Sequence, residues 1–416
     1  MRGDADGAAA AVQGPGRLAG LAVALAFAMG AGPIVIHTLA ALSPAITTDL
    51  GLTRTQFGLL ATTTFVVTAL LSVPAGAAVD RYEPRRMLGV LFLVSIVALV
   101  GLGLAPGYVG LVIAAAVAGL SLALANPVTN RSVALLIPAG QRGLIMGVKQ
   151  SGVQLLQAIT GAVLPVLAVV VGWRAAVLTT PLLAVLGLAL ALAVMPRTLL
   201  APGARPSGGR DRGPVPPVVW WLAAYSVLMG SSMQAVNVYV PLYAFEALRF
   251  DAVTAGATSG VIGVLGMAAR IAWGRVAERV ATPQPSLALL ALGGLTGVVL
   301  LHLARTFPVL LWAGVVVHAL SVLAANVVTM MAVMRRVRVT ELGRASGVLS
   351  LGLFTGFAIG PVLFGVTVDR SGTYTAGWAL LVALYLVAVA ITVTWARRER
   401  RAQGAALTVR NLRRRG

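Results

Sequence analysis

The chain of 416 residues is 58% hydrophobic and only 11% charged, with a mean hydropathy of +0.92. A soluble globular protein carries roughly 25% charged residues, so this composition excludes that class and indicates a membrane protein. The sequence has no cysteine, which excludes disulfides and cysteine-ligated metals. The net charge of +20 raises nucleic-acid binding as a possible function, but the positions of the arginines argue against it.

Apolar segments recur along nearly the whole chain, and each is about 20 residues long, enough to cross a bilayer. The first has no clean small-residue cleavage site, so we interpret it as a retained helix and not as a signal peptide. We therefore predict an all-α membrane protein with 12 transmembrane helices. The predicted spans are 18–42, 55–78, 86–105, 109–137, 143–171, 174–195, 218–246, 252–275, 285–303, 308–334, 343–368 and 374–396.

The polar segments divide the chain into five parts and also orient it. With both termini in the cytoplasm, the cytoplasmic segments hold 24 arginines and the outer segments hold five. This bias is the positive-inside rule; it predicts a bacterial inner (plasma) membrane protein and explains the net charge by contact with anionic lipid, without nucleic acid. The predicted parts are a cytoplasmic N-terminus 1–17, a six-helix bundle 18–195, a cytoplasmic linker 196–217, a second six-helix bundle 218–396 and a basic cytoplasmic tail 397–416.

A short motif occurs once in each half of the chain, after the second predicted span of that half. The matched residues are Gly76, Asp80 and Arg81 in the first half, and Gly274, Glu278 and Arg279 in the second. A duplicated six-helix unit is an architecture of transporters, in which the substrate is held near the membrane midplane between the halves.

Residues 76–86 read GAAVDRYEPRR, which resembles the signature loop between the second and third helices of the major facilitator superfamily. That loop usually reads G-x-x-x-D-R-x-G-x-R-R, and here Glu83 stands at the second glycine. The chain resembles the family over its whole length, and residues 126–174 loosely resemble a bacterial branch that includes cyanate- and nitrate-type carriers. The resemblance implies two pseudo-symmetric six-helix bundles, alternating access, a monomer, and coupling to the proton gradient.

The resemblance also implies that the signature loop acts as a gate latch. Asp80 would pair with an arginine and lie near the N-terminal end of a neighbouring helix, whose dipole favours an anion. The alternative is a basic loop that only sets topology. The residues of the predicted gating motif are Gly76, Asp80, Arg81, Arg85 and Arg86, with Gly274, Glu278 and Arg279 in the second copy.

Two cations inside the fourth and fifth spans form a candidate anion site. Arg131 and Lys149 are equally far from the turn at Gly140, so antiparallel helices place both about 13 Å from that turn. Charges at such depth usually face a cavity or a partner, and no carboxylate lies near the middle of any span. The alternative is that both side chains extend to the membrane surface.

Amides surround these cations on the helices that line the cavity in the resembling family. The alternative for each amide is an ordinary interhelical hydrogen bond. The candidate substrate-binding residues are Asn126, Asn130, Arg131, Lys149, Gln150, Gln154, Gln234, Asn237 and Asn326.

Histidines are the candidates for proton coupling, because imidazole titrates near neutral pH. We predict this role for His37 or His318, the alternative being a neutral core histidine. The three histidines make no metal-binding spacing, and no phosphate-binding glycine loop is present. These observations argue against a metal, a cofactor and an enzyme.

The sequence therefore predicts a secondary active transporter, with partners that are a small-molecule substrate, protons and the lipid bilayer. The buried cations favour a small organic or inorganic anion as substrate. The alternative is an efflux pump for drugs or amphipathic metabolites, which the apolar cavity helices and the segment from Gly356 to Pro361 favour. Drug exporters often carry a buried carboxylate, and its absence here favours the anion.

Overall fold

The computed structural model describes residues 15–196, 216–280, 282–338 and 341–413, and within them every regular element is helical. The first half consists of α1 (Pro15–Ala31 and Ile34–Ala41), α2 (Arg54–Arg81), α3 (Pro84–Leu104), α4 (Tyr108–Leu136), α5 (Arg142–Val171) and α6 (Trp173–Thr179 and Pro181–Val194). The second consists of α7 (Pro217–Glu246), α8 (Ala252–Arg279), α9 (Pro283–Leu303), α10 (Leu310–Val322 and Ala325–Arg336), α11 (Leu342–Ser371) and α12 (Tyr374–Arg413). A short helix, Ser43–Leu50, follows α1, and a 3-10 turn, Ala139–Gln141, joins α4 to α5. The linker residues 197–215 lie outside the described residues, as does most of the predicted N-terminus.

The helices α1 to α12 correspond to the twelve predicted spans. Ten are long and apolar enough to cross a membrane, and the two segments of α1 make an eleventh although they are bent by 61°. The twelfth is α7, whose 30 residues rise about 45 Å. Its hydropathy is lowered by buried polar side chains such as Ser232, Gln234 and Asn237. The prediction of an all-α bundle with twelve helices is confirmed.

Proline and glycine set many of the helix ends. Pro84, Pro217 and Pro283 occupy the first turn of α3, α7 and α9, where a missing N–H costs no hydrogen bond. Gly51 and Gly372 end their helices with φ of +60° and +68°, a conformation in which a side chain would be strained. These local signals explain why most predicted ends agree with the structure to within a few residues.

Three predicted spans are divided in the structure, and α6 is divided at Thr180, just before Pro181. The break in α1 lies at Gly32 and Pro33, because proline cannot continue the backbone hydrogen bonds of the preceding turn. The break in α10 lies at Leu323 and Ala324, where neither proline nor glycine is present. The end of α12 also differs from the prediction: the helix continues to Arg413, well past the predicted end at residue 396.

The two halves pack along two helix pairs, α5 with α8 and α2 with α11. A Cβ added to Gly161 of α5 would overlap the backbone nitrogen of Gly260 in α8, so the two backbones touch there. A Cβ added to Gly58 of α2 would lie 2.6 Å from the carbonyl oxygen of Pro361 in α11. Small residues let helices approach this closely inside a membrane.

The halves meet differently at the two ends of the bundle. We call the end that carries the loop after α2 the basic end, and the end that carries the loop before α2 the opposite end. At the opposite end, Nη2 of Arg54 lies 2.9 Å from Oε2 of Glu246 in the other half. Toward the basic end, a Cβ added to Gly76, Gly147 or Gly347 would meet nothing within 4 Å. The halves therefore touch at the opposite end, and these three glycines toward the basic end border open space.

Asp251 shows how a helix of the opposite end is started within one half. Its Oδ1 accepts the N–H groups of Val253 and Thr254, each at 2.9 Å, at the first turn of α8. The hydrogen bonds from the Thr254 side chain and backbone lower the pKa of the Asp251 carboxyl. Such caps satisfy N–H groups that have no partner inside the helix.

Candidate functional site

Lys149 lies fully buried where α1, α4 and α5 meet, with 0% of its surface exposed. Its Nζ donates to Oγ1 of Thr129 at 2.9 Å and to Oδ1 of Asn130 at 2.5 Å, and lies 4.0 Å from the Met29 sulfur. Among the described residues, no carboxylate forms an ion pair with it. The ammonium donors are satisfied by neutral groups, but the positive charge is not compensated.

A second cation, Arg270 of α8, reaches the same turn of α5 from the other half. Its Nη1 donates to the carbonyl oxygen of Gln150 at 3.2 Å, and its Nε donates to that of Leu323 at 3.1 Å. Leu323 lies at the break of α10, where the helix leaves carbonyl groups without a helical partner. A guanidinium has five N–H donors, so Arg270 keeps donors for a ligand after making these two contacts.

Arg270 was not among the predicted site residues. The signal was present: an arginine well inside the predicted span 252–275, without an acidic residue to neutralise it. Gln150 directly follows Lys149, so Arg270 of the second half contacts the backbone of α5 next to Lys149. Along the described chain, neither cation has an acidic partner.

The structure does not bring Arg131 to Lys149. Nη1 of Arg131 instead donates to the carbonyl oxygen of Tyr82, just after α2, at 3.1 Å. The second half repeats this contact, with Nη1 of Arg335 donating to the carbonyl oxygen of Val280 after α8 at 2.6 Å. Both arginines tie the end of the fourth helix of a half to the end of its second helix, at the basic end.

Amide side chains line the seam between α5 and the second half. Nε2 of Gln157 lies 3.5 Å from Oδ1 of Asn237 in α7, and the buried Oε1 atoms of Gln154 and Gln157 have no hydrogen-bond partner. An unpaired buried carbonyl costs free energy, so these amides are available to a ligand or to water. Gln154 and Asn237 were predicted for this role; Asn237 contacts Gln157, about one turn of α5 beyond Gln154.

The other predicted amides are spread along the helices. Asn126 is half-buried in α4, where its carbonyl oxygen accepts from Thr129, and Gln234 is buried in α7. Asn326 begins the second segment of α10, close in sequence to the carbonyl that Arg270 contacts, and its Oδ1 has no partner. The broken helix thus places an amide and an arginine at one level of the bundle.

The two candidate histidines occupy different surroundings. His37 is buried in the second segment of α1, with Nε2 lacking a partner, and Arg270 lies within electrostatic range. His318 is buried against α9, where a Cβ on Gly297 would lie 2.9 Å from the His318 Cβ. His37 therefore lies in a segment that packs on α7 and α8 of the second half, and His318 packs within that half.

Several side chains of the signature loop are exposed on the surface of the protein. Asp80 is exposed and has no hydrogen bond or ion pair within the described chain. Arg81 is exposed, Nη2 of Arg85 donates to the carbonyl oxygen of Leu192 at 3.0 Å, and Nε of Arg86 lies 3.6 Å from Glu83. In the second copy, Gly274 and Arg279 lie at the end of α8, and the side chain of Glu278 lies outside the described residues.

The glycines that favoured the exporter alternative have a packing role. A Cβ on Gly356 or Gly360 would overlap the carbonyl oxygens of Val227 and Ser231, respectively, so these glycines let α11 lie directly on α7. Pro361 follows them inside α11.

Comparison with known proteins agrees with this geometry. Residues 18–336 match the family model of the Major Facilitator Superfamily. The chain is 24% identical over 357 residues to the probable sulfoacetate transporter SauU of Cupriavidus necator, covering 80% of this chain and 83% of that protein. It is 28% identical over 373 residues to the probable nitrate/nitrite transporter NarK2 of Mycobacterium tuberculosis, covering 86% and 91%. The crystal structure of a bacterial homolog of the human lysosomal transporter Spinster, in an inward-facing and occupied conformation, superposes with a TM-score of 0.74 at 15% identity, covering 90% and 96%.

Proposed function

Because the chain belongs to the Major Facilitator Superfamily, we propose that it is a secondary active transporter of a small organic or inorganic anion. The observation that carries the proposal is the pair of cations, Lys149 and Arg270, one on each half and neither neutralised by an acid. A buried charge is costly unless it is paired, so such a site gains most from an anionic ligand.

The relatives support the same class of substrate. Sulfoacetate, nitrate and nitrite, which their names specify, are small anions at neutral pH. The unpaired amide oxygens of Gln154 and Gln157 are acceptors, which suit a ligand that also carries hydroxyl or other donor groups.

The proposed mechanism is alternating access. In the present state Arg54 and Glu246 join the halves at the opposite end, and glycines toward the basic end border open space, which supports an inward-facing state. The arginine bias supports a basic end and two termini that lie in the cytoplasm of a bacterial cell. Closing the basic end and opening the opposite end would present Arg270 and its neighbours to the outside.

Proton coupling is the finer part of the proposal, and His37 is its candidate carrier. His37 lies next to the seam between the halves, and its Nε2 is free to bind a proton or a ligand. The segment of α1 that carries His37 packs on α8, the helix that carries Arg270.

The test is a thermal-shift and binding titration of the purified protein with sulfoacetate, nitrate and a lipophilic cation. We expect an anion to stabilise the protein, and Arg270→Gln to weaken that binding about tenfold, since hydrogen bonds to a charged group contribute roughly 1.5–3 kcal/mol. The matched control is Arg335→Gln, because Arg335 also donates to a backbone carbonyl but lies at the basic end of the second half.

Two outcomes would contradict the anion proposal. The first is stabilisation by the lipophilic cation alone, which would favour the exporter alternative. The second is anion binding that Arg270→Gln leaves unchanged, which would place the anion elsewhere in the protein.

A further inference from the structure

The pattern of the signature loop occurs a third time, at the end of α11. Gly365, Asp369 and Arg370 have the same G-x-x-x-D-R spacing as Gly76, Asp80 and Arg81. The first copy ends α2 at the basic end, and this one ends α11 at the opposite end. Because α2 and α11 run in opposite directions across the bundle, each helix begins near the level at which the other ends.

Asp369 caps the helix of the other half. Its Oδ1 accepts the N–H of Arg54 at 3.2 Å, and its Oδ2 accepts the N–H of Thr55 at 2.7 Å. These N–H groups belong to the first turn of α2, where the helix dipole also favours a carboxylate. The interaction joins the two halves through residues that are 315 positions apart in the chain.

Gly365 makes this approach possible. A Cβ added there would lie 2.6 Å from the carbonyl oxygen of Arg54, and the Tyr239 hydroxyl donates to that same oxygen at 2.5 Å. Glu246 completes the closure, since its Oε2 accepts from Nη2 of Arg54 at 2.9 Å and from the Tyr374 hydroxyl at 2.7 Å. The first turn of α2 is therefore held by α7, α11 and α12 together.

The reciprocal contact at the basic end is not made in this state. Asp80 is exposed, and the residue that precedes α11, Glu341, makes no side-chain capping hydrogen bond to that helix. Asp80, which has no partner within the described chain, thus lies at the same end of the bundle as the start of α11.

We propose that Asp369 is a positioning residue that holds the opposite end closed by capping α2, as the counterpart at that end of the gate latch that the family resemblance implies for Asp80 at the basic end. The inference rests on the alternating access of the proposed function, but not on the identity of the substrate. Each latch stabilises one state, so the balance between the two aspartates sets the resting conformation.

The absence of cysteine allows a direct test in the full chain. Ala358→Cys introduces a thiol in the closed seam, where the Ala358 carbonyl accepts from the Thr62 hydroxyl at 2.6 Å. In whole cells, a membrane-impermeant thiol reagent reaches this position from outside only when the opposite end opens. We expect Asp369→Ala to raise the labelling rate about fivefold, the factor to which the loss of one helix cap corresponds. Asp80→Ala should lower the rate.

Asp251→Ala is the matched control, because Asp251 also caps a helix at the opposite end, but within its own half. We expect this variant to leave the labelling rate unchanged. Gly365→Ala supplies an independent variant, since its Cβ would push α11 away from Arg54 and should raise labelling as Asp369→Ala does.

Wild-type labelling in both Asp369→Ala and Gly365→Ala would overturn the inference, as would an equal rise in Asp251→Ala. The assay needs no substrate, so its outcome is separate from that of the anion titration. If the protein binds no anion but shows the expected labelling, the role of Asp369 is supported and the anion proposal is contradicted.

Discussion

At the scale of single residues, the site is defined by charge without counter-charge. Lys149 donates to Thr129 and Asn130, which are neutral, and Arg270 donates to two backbone carbonyls and keeps further N–H donors for a ligand. Such an arrangement keeps the cations oriented while leaving the net positive charge for a ligand. An acidic partner would have held them equally well and would have competed with an anionic substrate.

Replacement of Lys149 by methionine separates its structural role from its electrostatic role. We expect Lys149→Met to fold, because burying an uncompensated charge offsets much of what its hydrogen bonds contribute and methionine has a similar volume. Anion affinity should fall about tenfold, comparable with one charged hydrogen bond. Melting temperature and binding titration measure the two effects, and a variant that binds the anion normally would contradict a role for Lys149.

His37 can be tested apart from binding. We expect His37→Gln to abolish substrate accumulation driven by a pH gradient in proteoliposomes, because glutamine cannot carry the proton. Exchange of substrate against substrate, which moves no net proton, should persist. His302→Gln is the control, since His302 lies in α9 near the opposite end. Accumulation that survives in His37→Gln would assign the proton to another group.

At the scale of helices, the seam between α5 and α8 depends on glycine. Gly161 and Gly260 bring the two backbones into contact, as Gly58 does for α2 with α11. Hydropathy predicted the number and approximate ends of these helices, because span length and the punctuating proline and glycine are local properties. The break of α10 was not predictable in this way, since nothing in the sequence around Leu323 differs from an ordinary apolar helix.

Gly161→Ala tests the α5–α8 seam. The added methyl group would overlap α8, so we expect destabilisation of about 1–3 kcal/mol, as for overpacked cores. Gly147→Ala is a control in the same helix, because its Cβ meets nothing within 4 Å and alanine favours helix. Chemical or thermal unfolding in detergent should separate the two variants, and equal stability would mean that the seam can widen without cost.

At the scale of the whole molecule, the family and the class of activity could be predicted from the signature loop and the arginine bias, and the family comparison confirms them. Two parts of the site could not be predicted from the sequence in full. The position of Arg270 inside a span was visible in the sequence, but its partners are carbonyl oxygens of distant helices, which leave no residue pattern to recognise. Asp369 lies in a copy of the motif at the end of α11, on the opposite side of the membrane from the first copy at the end of α2. A comparison that aligns the two halves helix by helix in chain order does not match these two copies.

Orientation and conformation are testable together through Gly147, which is exposed at the basic end. We expect the thiol of Gly147→Cys to react with an impermeant reagent in inside-out vesicles and not in intact cells, because the proposed inward-facing state is open to the cytoplasm. Ala358→Cys should react slowly from either side in the wild-type background. Rapid reaction of Gly147→Cys in intact cells would reverse the proposed topology.

Most of the bonds that join the two halves end on backbone atoms. Arg270 reaches the carbonyl of Gln150, Asp369 and Tyr239 reach Arg54 through its N–H and carbonyl, and Thr62 reaches that of Ala358. Backbone atoms are the same in every residue, so evolution can change the residues that contribute only backbone atoms while the side chains that contact them stay fixed. A saturation mutagenesis map should therefore show stronger intolerance at positions 270 and 369 than at positions 150 and 55. Second-site suppressors should then arise in helix packing, not at the accepting residues.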